Sequence, residues 1–168
     1  MKVAIHQPHY WPWLPYIQKV QKADVFVYLD DAQFEKNGFQ NRCRLDFPRG
    51  VIRWLTMPVY NRFGQSIKET GINRRAVAAH LATLKSLFGS KHLNELAEVY
   101  GEHDNLADLA IATTEYLLGK LGIDTTTMRA SGLGPTELKS SARLADLCAK
   151  LGATTYLAGS GARGYLDR

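Results

Sequence analysis

Apolar residues run unbroken at Val3-Ala4-Ile5 and again at Val25-Phe26-Val27-Tyr28-Leu29. Short unbroken runs of this kind predict strands covered on both faces, as in a parallel sheet. Between them Tyr16, Ile17, Val20 and Ala23 recur at helical spacing, so a helix is expected from Pro15 to Ala23, with proline tolerated in its first turn. Residues 2–6, this helix and the second strand form one βαβ unit. The middle of the chain changes character. Arg42 to Phe47 and Val51 to Val59 are extended runs separated by Pro48-Arg49-Gly50, which predicts a β-hairpin, and Ile67 to Ile72 reads as a short further strand.

Helical periodicity then takes over. Val77, His80, Leu81, Leu84 and Phe88 form one apolar face ending at Gly89, and Leu93, Leu96, Ala97 and Tyr100 form a second ending at Gly101. Asn105 is placed to cap a third helix, with Leu106, Leu109, Ala110, Thr113 and Leu117 inward and Gly122 as its stop. A strand at Thr125 to Arg129, a helix from about Thr136 to Leu151 and a strand at Thr154 to Ala158 complete the pattern. The predicted fold class is α/β, a mostly parallel Rossmann-like sheet with flanking helices and an inserted β-hairpin, in a single domain.

Composition narrows the class. With 168 residues and 45% hydrophobic content the chain is long and apolar enough for an ordinary core. No apolar run approaches the ~20 residues of a membrane span, and Met1-Lys2 leads straight into a strand rather than a leader, so a cytoplasmic protein without membrane insertion is expected. The net charge of +5 suits a small anionic ligand such as a nucleotide-sugar, or equally a solvated surface. No nucleic-acid motif is present, so a nucleic-acid partner is not favoured. Cys43 and Cys148 form neither a disulfide framework nor a zinc site by themselves. Cys148 falls on an apolar helix face. Cys43 sits between Arg42 and Arg44, either as an activated thiol or as a plain strand position.

Ligands of open α/β sheets gather beyond the carboxyl ends of the strands. The segments there are His6-Gln7-Pro8-His9, Asp30-Asp31-Ala32-Gln33 and Gly159-Ser160-Gly161. His6 and His9 form an H-x-x-H pair that could steady phosphate charge or hold a metal, or simply position the turn. Pro8 stands where nucleotidyltransferases carry glycine, and it offers no N–H to a phosphate. Asp30 and Asp31 could take a proton from an amine, bind a sugar hydroxyl or hold Mg²⁺, or cap the next turn. Gln33 and Lys36 lie close by in sequence. Asn41, Arg42 and Arg44 offer amide and guanidinium groups to phosphate or carboxylate, or guard an edge strand. Tyr10, Trp11, Trp13 and Tyr16 could stack on a sugar or base, or fill the core, and Trp54 is assigned to the core. Ser131-Gly132-Leu133-Gly134 with Lys139 reads as a glycine turn entering a helix, able to meet an anion but lacking P-loop order.

The strings HQPHYWPWLPY, ADVFVYLDDAQFEKNGFQNR, WLTMPV and YLAGSGARGYLD resemble, in the same order, the WbqC-like family. The resemblance implies a place in bacterial surface-polysaccharide (O-antigen) biosynthesis, with aminoacyl or glycyl transfer to the amine of a nucleotide-linked amino sugar. By position it carries over Gln7, Asp30, Asp31, Gln33, Lys36, Asn41, Arg42, Ser131, Lys139, Gly159 and Tyr165. Ser160, beside Gly159, is read from the residues alone as a further substrate contact. His6 and His9 fall where family members commonly have other residues. The resemblance also implies a further segment after the Y-L-D motif, so the chain is expected to lack the family's C-terminal part. Two other functions stay open: nucleotidyl transfer or ATP-dependent activation at the histidine turn, and a non-catalytic module for a glycan precursor or nucleic acid.

Overall fold

The computed structural model describes residues 1–159. Four strands form a wholly parallel sheet: β1 (Lys2–His6), β2 (Val25–Tyr28), β7 (Thr126–Arg129) and β8 (Thr155–Leu157), in the order β7-β2-β1-β8. Helix α1 (Leu14–Gln21) joins β1 to β2, and α5 (Ser140–Lys150) joins β7 to β8. The fold is α/β, with helices on both faces of the parallel sheet and a separate antiparallel hairpin.

Strand alternation explains the two faces. Ala4, Phe26 and Tyr28 point to one side and pack on Tyr16, Ile17 and Val20 of α1 and on Ile111 and Leu118 of α4 (Leu106–Lys120). Val3, Ile5 and Val27 point to the other side and meet Leu147, with Leu144, Cys148 and Leu151 of the α5 segment at the margin. The capping of α4 is as expected, since the Asn105 side chain accepts a hydrogen bond from the Asp108 N–H.

A third cluster lies beyond α4. The hairpin of β3 (Arg42–Phe47) and β4 (Val51–Thr56) meets α2 (Val77–Phe88) and α3 (Leu93–Tyr100) there, around Met57, Ile67, Leu84 and Leu106. Only the inner Cys43–Leu55 cross-strand pair of the ribbon is buried. Trp54 is therefore not core: it is 46% exposed, on a part of the two-stranded ribbon that packs against none of the core clusters. Phe88, at the end of α2, is also exposed.

Two other expectations change. Ile67 to Ile72 is not one strand. A 3₁₀ turn at Ile67–Glu69, fixed by a Ser66–Glu69 capping box, precedes β6 (Gly71–Ile72), which pairs with β5 (Val59–Tyr60). The last helix starts at Ser140 rather than near Thr136, because the Thr136 hydroxyl captures the Leu138 N–H and Lys139 is extended.

Candidate functional site

The helices after β1 and before β8 lie on opposite faces, and β2 and β8 flank β1 on opposite sides. The sheet therefore has its topological switch point between β1 and β8. In open parallel sheets such a point opens a crevice at the carboxyl ends of the strands. Here those ends carry His6 and Gly159.

His6 ends β1 with its ring edge against His9, centroids 4.6 Å apart, and both rings contact Tyr16 of α1. His6 Nδ1 lies 3.1 Å from the Gln7 carbonyl oxygen. A carbonyl can only accept, so Nδ1 carries the proton and Nε2 keeps a bare lone pair. His9 is 8% exposed, and its Nδ1 is buried with no hydrogen-bond partner among the described residues. An orphaned buried nitrogen is rare, because it forgoes its hydration without replacement. Burial holds both imidazoles in the neutral form. His6 is lowered to about 4 by desolvation, helped by Lys19, and His9 to about 3 by desolvation, then His6 and Lys19.

Lys19 is the third member, and the sequence reading did not include it. It projects from α1, one turn after Tyr16, and its Nζ donates to the Ile5 carbonyl at 2.7 Å. A Cβ built on Gly159 would lie 4.0 Å from that Nζ, so the end of β8 closes on it. Desolvation lowers Lys19 to about 8. The ammonium has donors to spare beyond Ile5, and among the described residues no carboxylate is one of the groups acting on these three nitrogens. The arrangement sets two neutral imidazoles, one of them buried, beside a partly buried ammonium.

Gln7 belongs to the wall of this site. Its carbonyl also accepts from the Tyr16 hydroxyl, and its side-chain oxygen accepts from Gln40, itself 1% exposed. Gln40, also missed by the sequence reading, in turn accepts from the Glu35 N–H. Histidine turn and β2–β3 loop are thereby locked together.

The acidic pair is structural in its contacts. Asp30 is 1% exposed and receives both the Ser131 N–H (3.0 Å) and the Ser131 hydroxyl (2.7 Å). Asp31 pairs with the buried Arg143 at 2.8 Å. These bonds fasten the end of β2 to the turn after β7 and to α5. Ser131 is thus committed to Asp30, and six residues separate its 3₁₀ turn from the helix beginning at Ser140, so Ser131 and Lys139 do not build a phosphate cradle at a helix start.

Tyr10 is core rather than a surface contact. At 1% exposure it sits in a directed hydrogen-bond chain, from Trp11 Nε1 to the Tyr100 hydroxyl, to the Tyr10 hydroxyl, to His80 Nδ1, with His80 Nε2 donating to the Thr56 carbonyl. Trp11 stands at φ 46°, left-handed backbone that a non-glycine residue adopts only when its surroundings impose it. Of the first aromatic string, Trp13 alone is largely exposed.

Among the remaining residues, Asn41 is buried and donates to the Met57 carbonyl at 2.9 Å. Arg42 donates to Asn37 and lies over the Trp54 ring at 4.2 Å. Gln33, bridged to Ser66, and Lys36 and Lys139 are exposed. Cys43 is buried with its thiol pushed up to about 12 by desolvation, which leaves the plain strand reading. Ser160 and Tyr165 lie outside the described residues. Among the described residues no three His, Cys, Asp or Glu side chains gather as a metal site, and no helix is long and apolar enough to cross a membrane. A shallow concavity of about 560 Å³ between α3 and α4 carries Glu95, Glu98 and Glu115, the wrong sign for an anionic ligand.

Fold and site together define a Rossmann-like α/β protein with a nitrogen-rich switch point. The chain belongs to the WbqC-like protein family, whose model matches residues 7–168. It is 35% identical over 176 residues to the uncharacterized protein Rv1507c of Mycobacterium tuberculosis, a match covering 99% of this chain and 75% of the relative. No solved structure matches the chain.

Proposed function

We propose that the chain is a transferase that acylates the amine of a nucleotide-linked amino sugar for a bacterial surface polysaccharide. The bare Nε2 of His6, set beside His9 and Lys19 at the switch point, carries this reading. The amine nitrogen attacks the carbonyl carbon of an activated acyl donor, a thioester or ester. The C–N bond forms and the C–S or C–O bond breaks. The amine proton passes to His6 Nε2 and from there to the departing sulfur or oxygen. Lys19 holds the substrate's diphosphate, whose negative charge raises the basicity of His6 against the effect of burial. Asp30 and Asp31 keep the strand ends in place, so the proton acceptor expected among them moves to His6.

The same three nitrogens suit charge building on a phosphoryl group, which favours nucleotidyl transfer as the second reading. One assay separates them. The protein is incubated with a UDP-amino sugar and an aminoacyl thioester, and separately with ATP or CTP, Mg²⁺ and a sugar phosphate. Acyl transfer predicts an N-acylated sugar by mass in the first mixture and no pyrophosphate in the second. His6→Asn should lower kcat by about 100-fold or more with its melting temperature retained. Full turnover in that variant removes His6 as the base, and pyrophosphate release alone replaces the reading.

A further inference from the structure

Trp13, Phe39 and Trp54 come from the turn before α1, the β2–β3 loop and β4, and they are 58%, 42% and 46% exposed. None belongs to a core cluster. Single exposed apolar residues are ordinary, but these three are joined. Phe39 stacks on Trp13 with planes 4° apart and centroids 6.0 Å apart, and its ring meets Trp54 at 5.7 Å. At its centre the row touches the site, because Phe39 lies 5.8 Å from His9 and its carbonyl accepts the Tyr10 N–H. At one end the Arg42 guanidinium lies over Trp54, and Arg42 Nε is buried with no partner among the described residues.

We propose that this shelf stacks the nucleobase of a nucleotide-linked substrate whose phosphates reach His9 and Lys19. The identity of the substrate rests on the transferase reading. The shelf's chemistry fits a base, because exposed aromatic rings offer flat π-faces to a planar ring. In the transferase geometry the reacting sugar lies over His6, so the base is the planar ring left to place.

Tryptophan fluorescence titration tests this with UDP, with ribose 5-phosphate as a base-free probe, and with a short oligodeoxynucleotide. Trp54→Ala and Trp13→Ala remove exposed rings, and circular dichroism checks that folding is kept. UDP should quench the wild type, and each variant should weaken UDP about fivefold or more while leaving ribose 5-phosphate unchanged. Lys19→Met should weaken both. Equal UDP affinity in wild type and both variants overturns the shelf, as does no UDP binding at millimolar concentration. An oligonucleotide that binds more tightly than UDP overturns it in favour of a nucleic-acid surface. Stacking that persists where no acyl transfer occurs leaves the shelf intact and removes the transferase reading alone.

Discussion

At the residue scale, burial acts on His6, His9 and Lys19 in one direction, against positive charge. The consequence for stability has a definite sign. Both histidines are neutral in the fold down to about 4 and about 3, whereas an unfolded histidine protonates near 6.5. Below pH 6.5 the unfolded chain therefore binds more protons, and stability falls with pH until the folded values are passed. The melting temperature should drop between pH 6.5 and 4.5, and the drop should be smaller in His9→Phe. That substitution keeps an aromatic ring against Tyr16 and removes the proton site. An identical acid profile in the variant would show that His9 does not carry the effect.

At the element scale, the directed chain through Trp11, Tyr100, Tyr10 and His80 links the turn after β1 to α3, α2 and β4. Tyr10→Phe keeps the packing, removes the hydroxyl between Tyr100 and His80 and leaves the Tyr100 hydroxyl, 3.4 Å away, as the remaining partner of His80 Nδ1. It should cost about 0.5–1.5 kcal/mol in urea unfolding, with ligand affinity unchanged. A loss of affinity without a loss of stability would return Tyr10 to the substrate-binding residues. The elements themselves were largely readable, for local reasons. Unbroken apolar runs placed β1 and β2, and Gly89, Gly101, Asn105 and Gly122 marked helix ends. What was not readable depended on contacts distant in sequence. Trp54 looks like core in an apolar run, yet only one pair of its ribbon is covered. Asp30 and Asp31 look like a catalytic pair until Ser131 and Arg143 arrive from 101 and 112 residues away. Lys19 did leave a trace, at the edge of the Tyr16–Val20 face, but it takes the Ile5 carbonyl, the Tyr156 ring and Gly159 to show where its head goes.

At the scale of the whole molecule, strand order decides where chemistry can occur. The β7-β2-β1-β8 order sets the switch point between β1 and β8, and the nitrogen bases sit there, while Glu95, Glu98 and Glu115 lie apart on α3 and α4. The excess of 21 basic over 16 acidic side chains works in the same sense, drawing anions to the protein.

The central claim is that the switch point binds an anion through these nitrogens, and calorimetry of a UDP-amino sugar tests it most directly. Titrations at pH 8 in two buffers of different ionisation enthalpy give the protons exchanged on binding. Lys19, lowered to about 8, is then about half protonated, and a bound diphosphate raises its affinity for the proton. The account predicts uptake of up to about half a proton at pH 8, lost in Lys19→Met together with most of the affinity. Binding without proton uptake, or with full affinity in Lys19→Met, would contradict it.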